Sequence, residues 1–170
     1  MLNKINKLDQ NEFTDFFGNI FENASWIAEK LYKQKPFNNF QDLSEKMHNI
    51  FDGAGSEVKL KILNSHPDLA NKARIGSLTP DSNKEQKNAG LDQCSEKEFS
   101  EFKDLNNKYK VKFGFPFIIA VKGKNKIEIL NNFRKRILFN KKDEFFEAIK
   151  QVKIIASLRL QELKNNENFI

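Results

Sequence analysis

Three places in this chain set a reactive residue type against the local pattern. His66 follows an apolar helical stretch that includes Ile62, and it stands directly before Pro67. Its ring can therefore leave the core edge for a pocket, and histidine is the side chain whose ordinary pKa lets it trade protons near neutrality. A histidine at a helix end also serves as a cap or a satisfied core residue, and both readings stand. Arg159 falls on the stripe Phe145, Ile149, Val152, Ala156, Arg159, Leu163, at a seam position where leucine is expected. An inward guanidinium is costly unless it is paired or hydrogen-bonded. It can snorkel or form a structural ion pair, or it can grip a carboxylate through two parallel bonds. Leu78, Ser82, Glu85 and Ala89 share one face of a predicted helix, with Gln86 beside Glu85. Such a face is too polar for core packing, so it lines a polar cavity or faces solvent. The second histidine, His48, sits in mid-helix between Met47 and Asn49 and carries no role.

The segment that must support such a site is residues 113–121, Phe-Gly-Phe-Pro-Phe-Ile-Ile-Ala-Val, an apolar run with neither helical nor strand period. Gly114 and Pro116 disfavour a regular helix, and Phe115 before proline is pushed toward extended geometry. A packed but irregular segment must find partners for its backbone groups in protein, water or a ligand.

A length of 170 residues suits one domain with a real core, and 17 phenylalanines supply much of it. The net charge of +6 comes from lysine, with arginine only at positions 74, 134, 136 and 159. Arginine is the preferred reader of phosphate and guanine, and the lysines are spread over every predicted helix. A basic helical module binding nucleic acid or an acidic partner is the alternative class, and no basic stripe interleaved with exposed aromatics supports it. The single Cys94 excludes an intramolecular disulfide and has no neighbouring cation in sequence to make a reactive thiolate. No zinc spacing is present. Without an apolar leader, a membrane-length apolar stretch or a peroxisomal ending at Ile170, the expected setting is a bacterial cytoplasm.

Apolar spacing is helical nearly throughout. Helices are predicted over about 11–21 (Phe13, Phe16, Phe17 and Ile20 inward), around Trp26, Ile27 and Leu31, and from Phe40 to Phe51. A fourth starts at Ser56 with Val58, Leu60, Ile62 and Leu63 and stops near His66. After a loop through Gly76, Thr79 and Pro80 open a fifth over about 80–89. Ser95 and Glu98 form a capping box for a sixth, striped by Phe99, Phe102, Leu105 and Tyr109. A helix with Ile127, Leu130, Phe133 and Ile137 follows the apolar run, and a long last helix spans about 143–164. The expected fold is all-α: a single compact domain over 1–170, of roughly eight helices with one short extended segment.

In order, His66-Pro67-Asp68-Leu69-Ala70, Ser82-Asn83-Lys84-Glu85-Gln86, Ala89-Gly90-Leu91-Asp92, the Lys112 to Ile118 stretch with Ala120-Val121-Lys122-Gly123, and Leu158-Arg159-Leu160 resemble the OHCU decarboxylases across essentially the whole chain. OHCU is 2-oxo-4-hydroxy-4-carboxy-5-ureidoimidazoline. The resemblance implies a cofactor-free, usually homodimeric helical enzyme that converts OHCU to (S)-allantoin and CO2. In urate breakdown it acts after urate oxidase and hydroxyisourate hydrolase, and the hydrolase is expected to be a separate protein. By motif position, the catalytic residues fall on His66, Glu85 and Arg159. Substrate contacts fall on Pro67, on Ser82, Asn83, Lys84 and Gln86, and on Phe117, Ile118, Ile119, Ala120 and Val121. Nineteen positions separate His66 from Glu85, a spacing one shorter than in several family members, which places a deletion in the loop near 74–78.

Overall fold

Caps and apolar spacing set the helices. The computed structural model describes residues 2–71 and 78–165; the expected loop deletion falls mostly outside them. Nine α-helices and no strand occur among the described residues. They are α1 (Leu2–Ile5), α2 (Gln10–Phe17), α3 (Ser25–Tyr32), α4 (Phe40–Asp52), α5 (Ser56–Ser65), α6 (Pro80–Asn88), α7 (Glu96–Phe113), α8 (Lys126–Arg136) and α9 (Lys141–Asn165). The all-α expectation holds. The single turn α1 has no counterpart in the sequence analysis, because four residues are too few to display a period.

The start signals act as their chemistry requires. Thr79 accepts a hydrogen bond from the Ser82 amide at 3.3 Å and Pro80 occupies the first turn of α6. Ser95 and Glu98 close their capping box on α7. A second box, Asn125 with Glu128, opens α8. At the far end of α7, Gly114 takes φ 80° and returns its N–H to the Lys110 carbonyl at 2.8 Å, a left-handed cap that suits glycine.

The chain divides into two compact units, Met1–Ile62 with Val152–Ile170, and Leu63–Gln151; the divisions fall within α5 and α9. In the first, Phe13, Phe17, Phe21, Ile27, Leu31, Leu43, Met47 and Phe51 are buried, and Phe21 stacks on Phe51 with ring centroids 4.7 Å apart. In the second, the core centres on Tyr109, Phe102, Phe117 and Phe133. Phe117 lies flat on Phe133 at 3.9 Å, and Tyr109 meets both edge-on. The apolar run forms no regular element between Pro116 and Val121, yet Phe115 and every residue from Phe117 to Val121 are buried.

Two stripes differ from expectation for one shared reason. On α8, Ile127 is exposed, and the buried face is Ile129, Leu130, Phe133 and Arg136. On α9, the buried residues of the second unit are Glu144 and Ala148, not Phe145 and Ile149, which lie at the edge. Arg136 and Glu144 turn inward together because each satisfies the other. Arg136 Nε donates to the Glu144 carboxylate at 3.1 and 3.2 Å, Nη2 donates to it as well, and the Tyr109 hydroxyl donates to the same group. A buried charge survives only with such partners. Burial, then the Glu144 carboxylate, push the Tyr109 hydroxyl pKa well up, so it stays a donor. On α5, Val58 and Leu60 are partly exposed while Ile62 and Leu63 are buried.

Candidate active site

In the second unit, His66 ends the helical stretch of α5, its amide bonded to the Leu63 carbonyl at 3.2 Å. Pro67 and Asp68 are half-buried, and Leu69 and Ala70 are buried. Ala70 has φ 51°, a left-handed conformation that a non-glycine residue holds only when its surroundings fix it. Those surroundings are polar side chains. The Gln86 amide donates from Nε2 to the Asp68 carbonyl at 3.3 Å and accepts from the Ala70 amide at 3.1 Å. From α7, Asn106 Nδ2 donates to the Leu69 carbonyl at 2.9 Å, and Lys110 pairs with the Asp68 carboxylate at 2.7 Å. The loop after His66 is thus pinned from two helices.

This geometry accounts for the polar face of α6. Ser82 and Gln86 are its buried residues, with Ala89 buried just past its end; Glu85 is half-buried at the edge, and Asn83 and Lys84 are exposed. Gln86 reaches backbone that no helix ladder serves, so its burial is compensated. A cavity of about 570 Å³ opens beside the same loop, walled by Asp68, Ala70, Asn71, Phe99, Lys103 and Asn106 among others. Neither His66, Glu85 nor residues 117–121 line it.

The apolar run is held by side chains. Arg136 Nη1 donates to the Ile118 carbonyl at 2.7 Å, and the Ala120 amide donates to Gln151 Oε1 at 2.9 Å. The Val121 carbonyl accepts from the Lys124 amide at 2.9 Å. These three backbone groups are satisfied within the protein.

Arg159 belongs to the first unit. Its Nη1 donates to the Glu22 carboxylate at 2.9 Å and to the Asn19 carbonyl at 3.0 Å, with 5% and 2% of the two side chains exposed. The structural ion pair is therefore present. Also in this unit, His48 Nε2 lies 3.0 Å from the Ser157 hydroxyl, and burial lowers the His48 pKa. In the second unit, burial pushes the Cys94 thiol up, which accords with an unreactive cysteine. Among the described residues, no three His, Cys, Asp or Glu side chains gather closely enough to hold a metal ion, and no helix is long and apolar enough to cross a membrane.

The sequence analysis assigns no role to Glu22, Asn106 or Arg136. Two of them left a signal: Asn106 lies between Phe102 and Tyr109 at stripe spacing, and Arg136 stands three beyond Phe133, as out of pattern as Arg159. Glu22 lies outside any helix and left none.

Comparison with known proteins adds the identity that geometry alone lacks. The OHCU decarboxylase family model matches residues 6–161. The 2-oxo-4-hydroxy-4-carboxy-5-ureidoimidazoline decarboxylase of Haloferax volcanii is 36% identical over 98% of this chain and 97% of its own length. The uric acid degradation bifunctional protein of Bacillus sp. (strain TB-90) is 40% identical over 98% of this chain, which spans only 33% of that relative. A putative decarboxylase of the same name from Homo sapiens is 34% identical over 95% of this chain and 94% of its own. With relatives this widely distributed, the expectation of a bacterial source has no support. Among solved structures, (S)-allantoin synthase superposes with a TM-score of 0.75 at 28% identity, over 95% of this chain and 53% of the other. An OHCU decarboxylase crystallised in the presence of (S)-allantoin gives a TM-score of 0.68 at 22% identity over 92% of this chain and 98% of its own, a likeness of fold. Matched along nearly its whole length by the family model and by full-length relatives, the chain belongs to the OHCU decarboxylase family.

Proposed function

We propose that this protein decarboxylates OHCU to (S)-allantoin and CO2 without a cofactor. The observation that carries the reading is the family match over residues 6–161; the resemblance of the His66 box, the Ser82–Gln86 segment and Arg159 to the family's motifs suggests where the site lies. The substrate's carboxylate sits on a carbon that also bears a hydroxyl and adjoins an imine carbon. When the bond to CO2 breaks, its electron pair forms a double bond to the former imine carbon, and the imine nitrogen takes a proton. The resulting enol loses its hydroxyl proton while the former imine carbon gains one, and that carbon becomes the stereocentre. The protein must hold the carboxylate out of the ring plane, stabilise developing charge and protonate one face only.

His66 is the proposed general acid/base, a role worth typically ~10²–10⁴ in rate. Glu85 would bond the hydroxyl or the ureido N–H groups. Arg159 would anchor an anionic or carbonyl group, with its planar fork oriented by Glu22. Pro67, Ser82, Asn83, Lys84 and Gln86 would shape the binding surface, Gln86 by fixing the loop that follows His66. Backbone dipoles from Phe117, Ile118, Ile119, Ala120 and Val121 would fix the ring and the ureido arm. Of these, the Ile118 and Val121 carbonyls and the Ala120 amide already have protein partners, so the remaining groups would carry the contact. The working form would be a homodimer. Its substrate would come from urate oxidase and hydroxyisourate hydrolase acting in turn. Release of CO2 from freshly generated OHCU, compared with and without the protein, tests the reading: equal rates would refute it.

A further inference from the structure

We propose that Arg136, Glu144 and Gln151 are positioning residues that set the register of the apolar run at residues 117–121; their catalytic relevance rests on the function proposed above. The run has no ladder of its own, so its backbone could settle in several registers unless side chains fix it. Two groups are fixed. The Ile118 carbonyl takes Arg136 Nη1 at 2.7 Å, and the Ala120 amide gives its proton to Gln151 at 2.9 Å. The two bonds come from side chains on separate helices, α8 and α9, so they locate the segment at two points along its length.

The clamp is itself held rigidly. The Arg136 guanidinium lies over the Phe117 ring at 4.5 Å, and Glu144 grips it while receiving the Tyr109 hydroxyl. The Arg136 and Glu144 side chains are 5% and 0% exposed. A buried ion pair is a poor route to stability, since a well-packed apolar pair of similar volume often does as well. Here it does something an apolar pair cannot do: it places a donor at one carbonyl of an irregular segment. In a reaction whose product is a single enantiomer, a small shift of that segment misplaces the substrate face, and such displacements cost on the order of 10²-fold in rate.

The test uses the full chain and three variants, Arg136→Lys, Gln151→Ala and the double variant Glu147→Gln/Gln151→Glu. Gln151 is half-buried, so its variants fold even where Arg136→Lys does not. Amide hydrogen exchange across residues 117–121 is expected to speed up roughly 3- to 10-fold in Gln151→Ala and in any folded Arg136→Lys. The amides of α7 and α8 should keep their protection. The double variant exchanges the two side chains across the 2.7 Å bond that Gln151 Nε2 donates to Glu147, keeps an acceptor for the Ala120 amide and should restore wild-type exchange. Unchanged exchange in Gln151→Ala would overturn the clamp, whatever the enzyme's activity. On OHCU, Gln151→Ala is expected to lose about 10- to 100-fold in kcat and some enantiomeric purity of product, with the double variant near wild type. Faster exchange with unaltered kcat and purity would overturn the positioning role alone. An inactive wild type would instead refute the proposed function, and the exchange data would still decide the clamp.

Discussion

Arg159 Nη1 lies 2.9 Å from the Glu22 carboxylate, and the two side chains are almost wholly withdrawn from solvent. The seam arginine on the last helix is thus compensated by an acid from a stretch of chain that no helix contains. Removing the carboxylate takes the opposite charge from a buried cation, so Glu22→Ala is expected to destabilise the fold by about 3–5 kcal/mol. Urea titration of wild type and variant measures it. A loss below about 1 kcal/mol would mean that the pair contributes little.

Arg159→Lys separates charge from shape. It keeps the cation but loses the planar fork. If Arg159 anchors an anionic group of the substrate, steady-state kinetics on OHCU should show a raised KM, a lowered kcat, or both. Unaltered values of both would leave Arg159 with a structural role only.

The loop after His66 depends on one amide. Gln86→Leu leaves the Ala70 amide and the Asp68 carbonyl without their partner and releases a backbone held at φ 51°. The expected loss is about 1–3 kcal/mol, with a fall in turnover as His66 loses its fixed support. Chemical denaturation and turnover should fall together; a variant as active as wild type would remove Gln86 from the account.

Stability should also report on His48. Burial first, then Lys153, lower its pKa below the ordinary 6.5, while Asp52 acts in the other direction. The folded state therefore resists the proton more than the unfolded chain does. The associated stability is complete above about pH 6.5 and is lost as pH falls below it. His48→Gln should flatten the decline in denaturation midpoint between pH 7 and pH 5, and an identical slope in wild type and variant would contradict this. The Ser157 contact at 3.0 Å is available to glutamine as well, so the comparison isolates the charge.

Most of the helices are legible in the sequence because caps and apolar period agree. Thr79 with Pro80, and Ser95 with Glu98, each mark a start that the structure keeps. The faces are less legible where two charged residues turn inward as a pair. Neither Arg136 nor Glu144 predicts burial alone, and the partner that makes burial tolerable is identified only by three-dimensional contact. For the same reason Arg159 is visible as an anomaly while Glu22 is not. Residues 113–121 are recognisable as irregular from Gly114 and Pro116, but the side chains that satisfy Ile118 and Ala120 come from α8 and α9, beyond any local signal.

The central claim is tested most directly by generating OHCU in situ from urate, adding the protein and following circular dichroism. Uncatalysed decay is racemic and gives no net signal. The account predicts a rapid rise of the (S)-allantoin signal that His66→Gln slows by ~10²–10⁴ at unchanged thermal stability. No acceleration by the wild-type protein would contradict the proposed function, and a His66→Gln protein as fast as wild type would contradict the acid/base assignment.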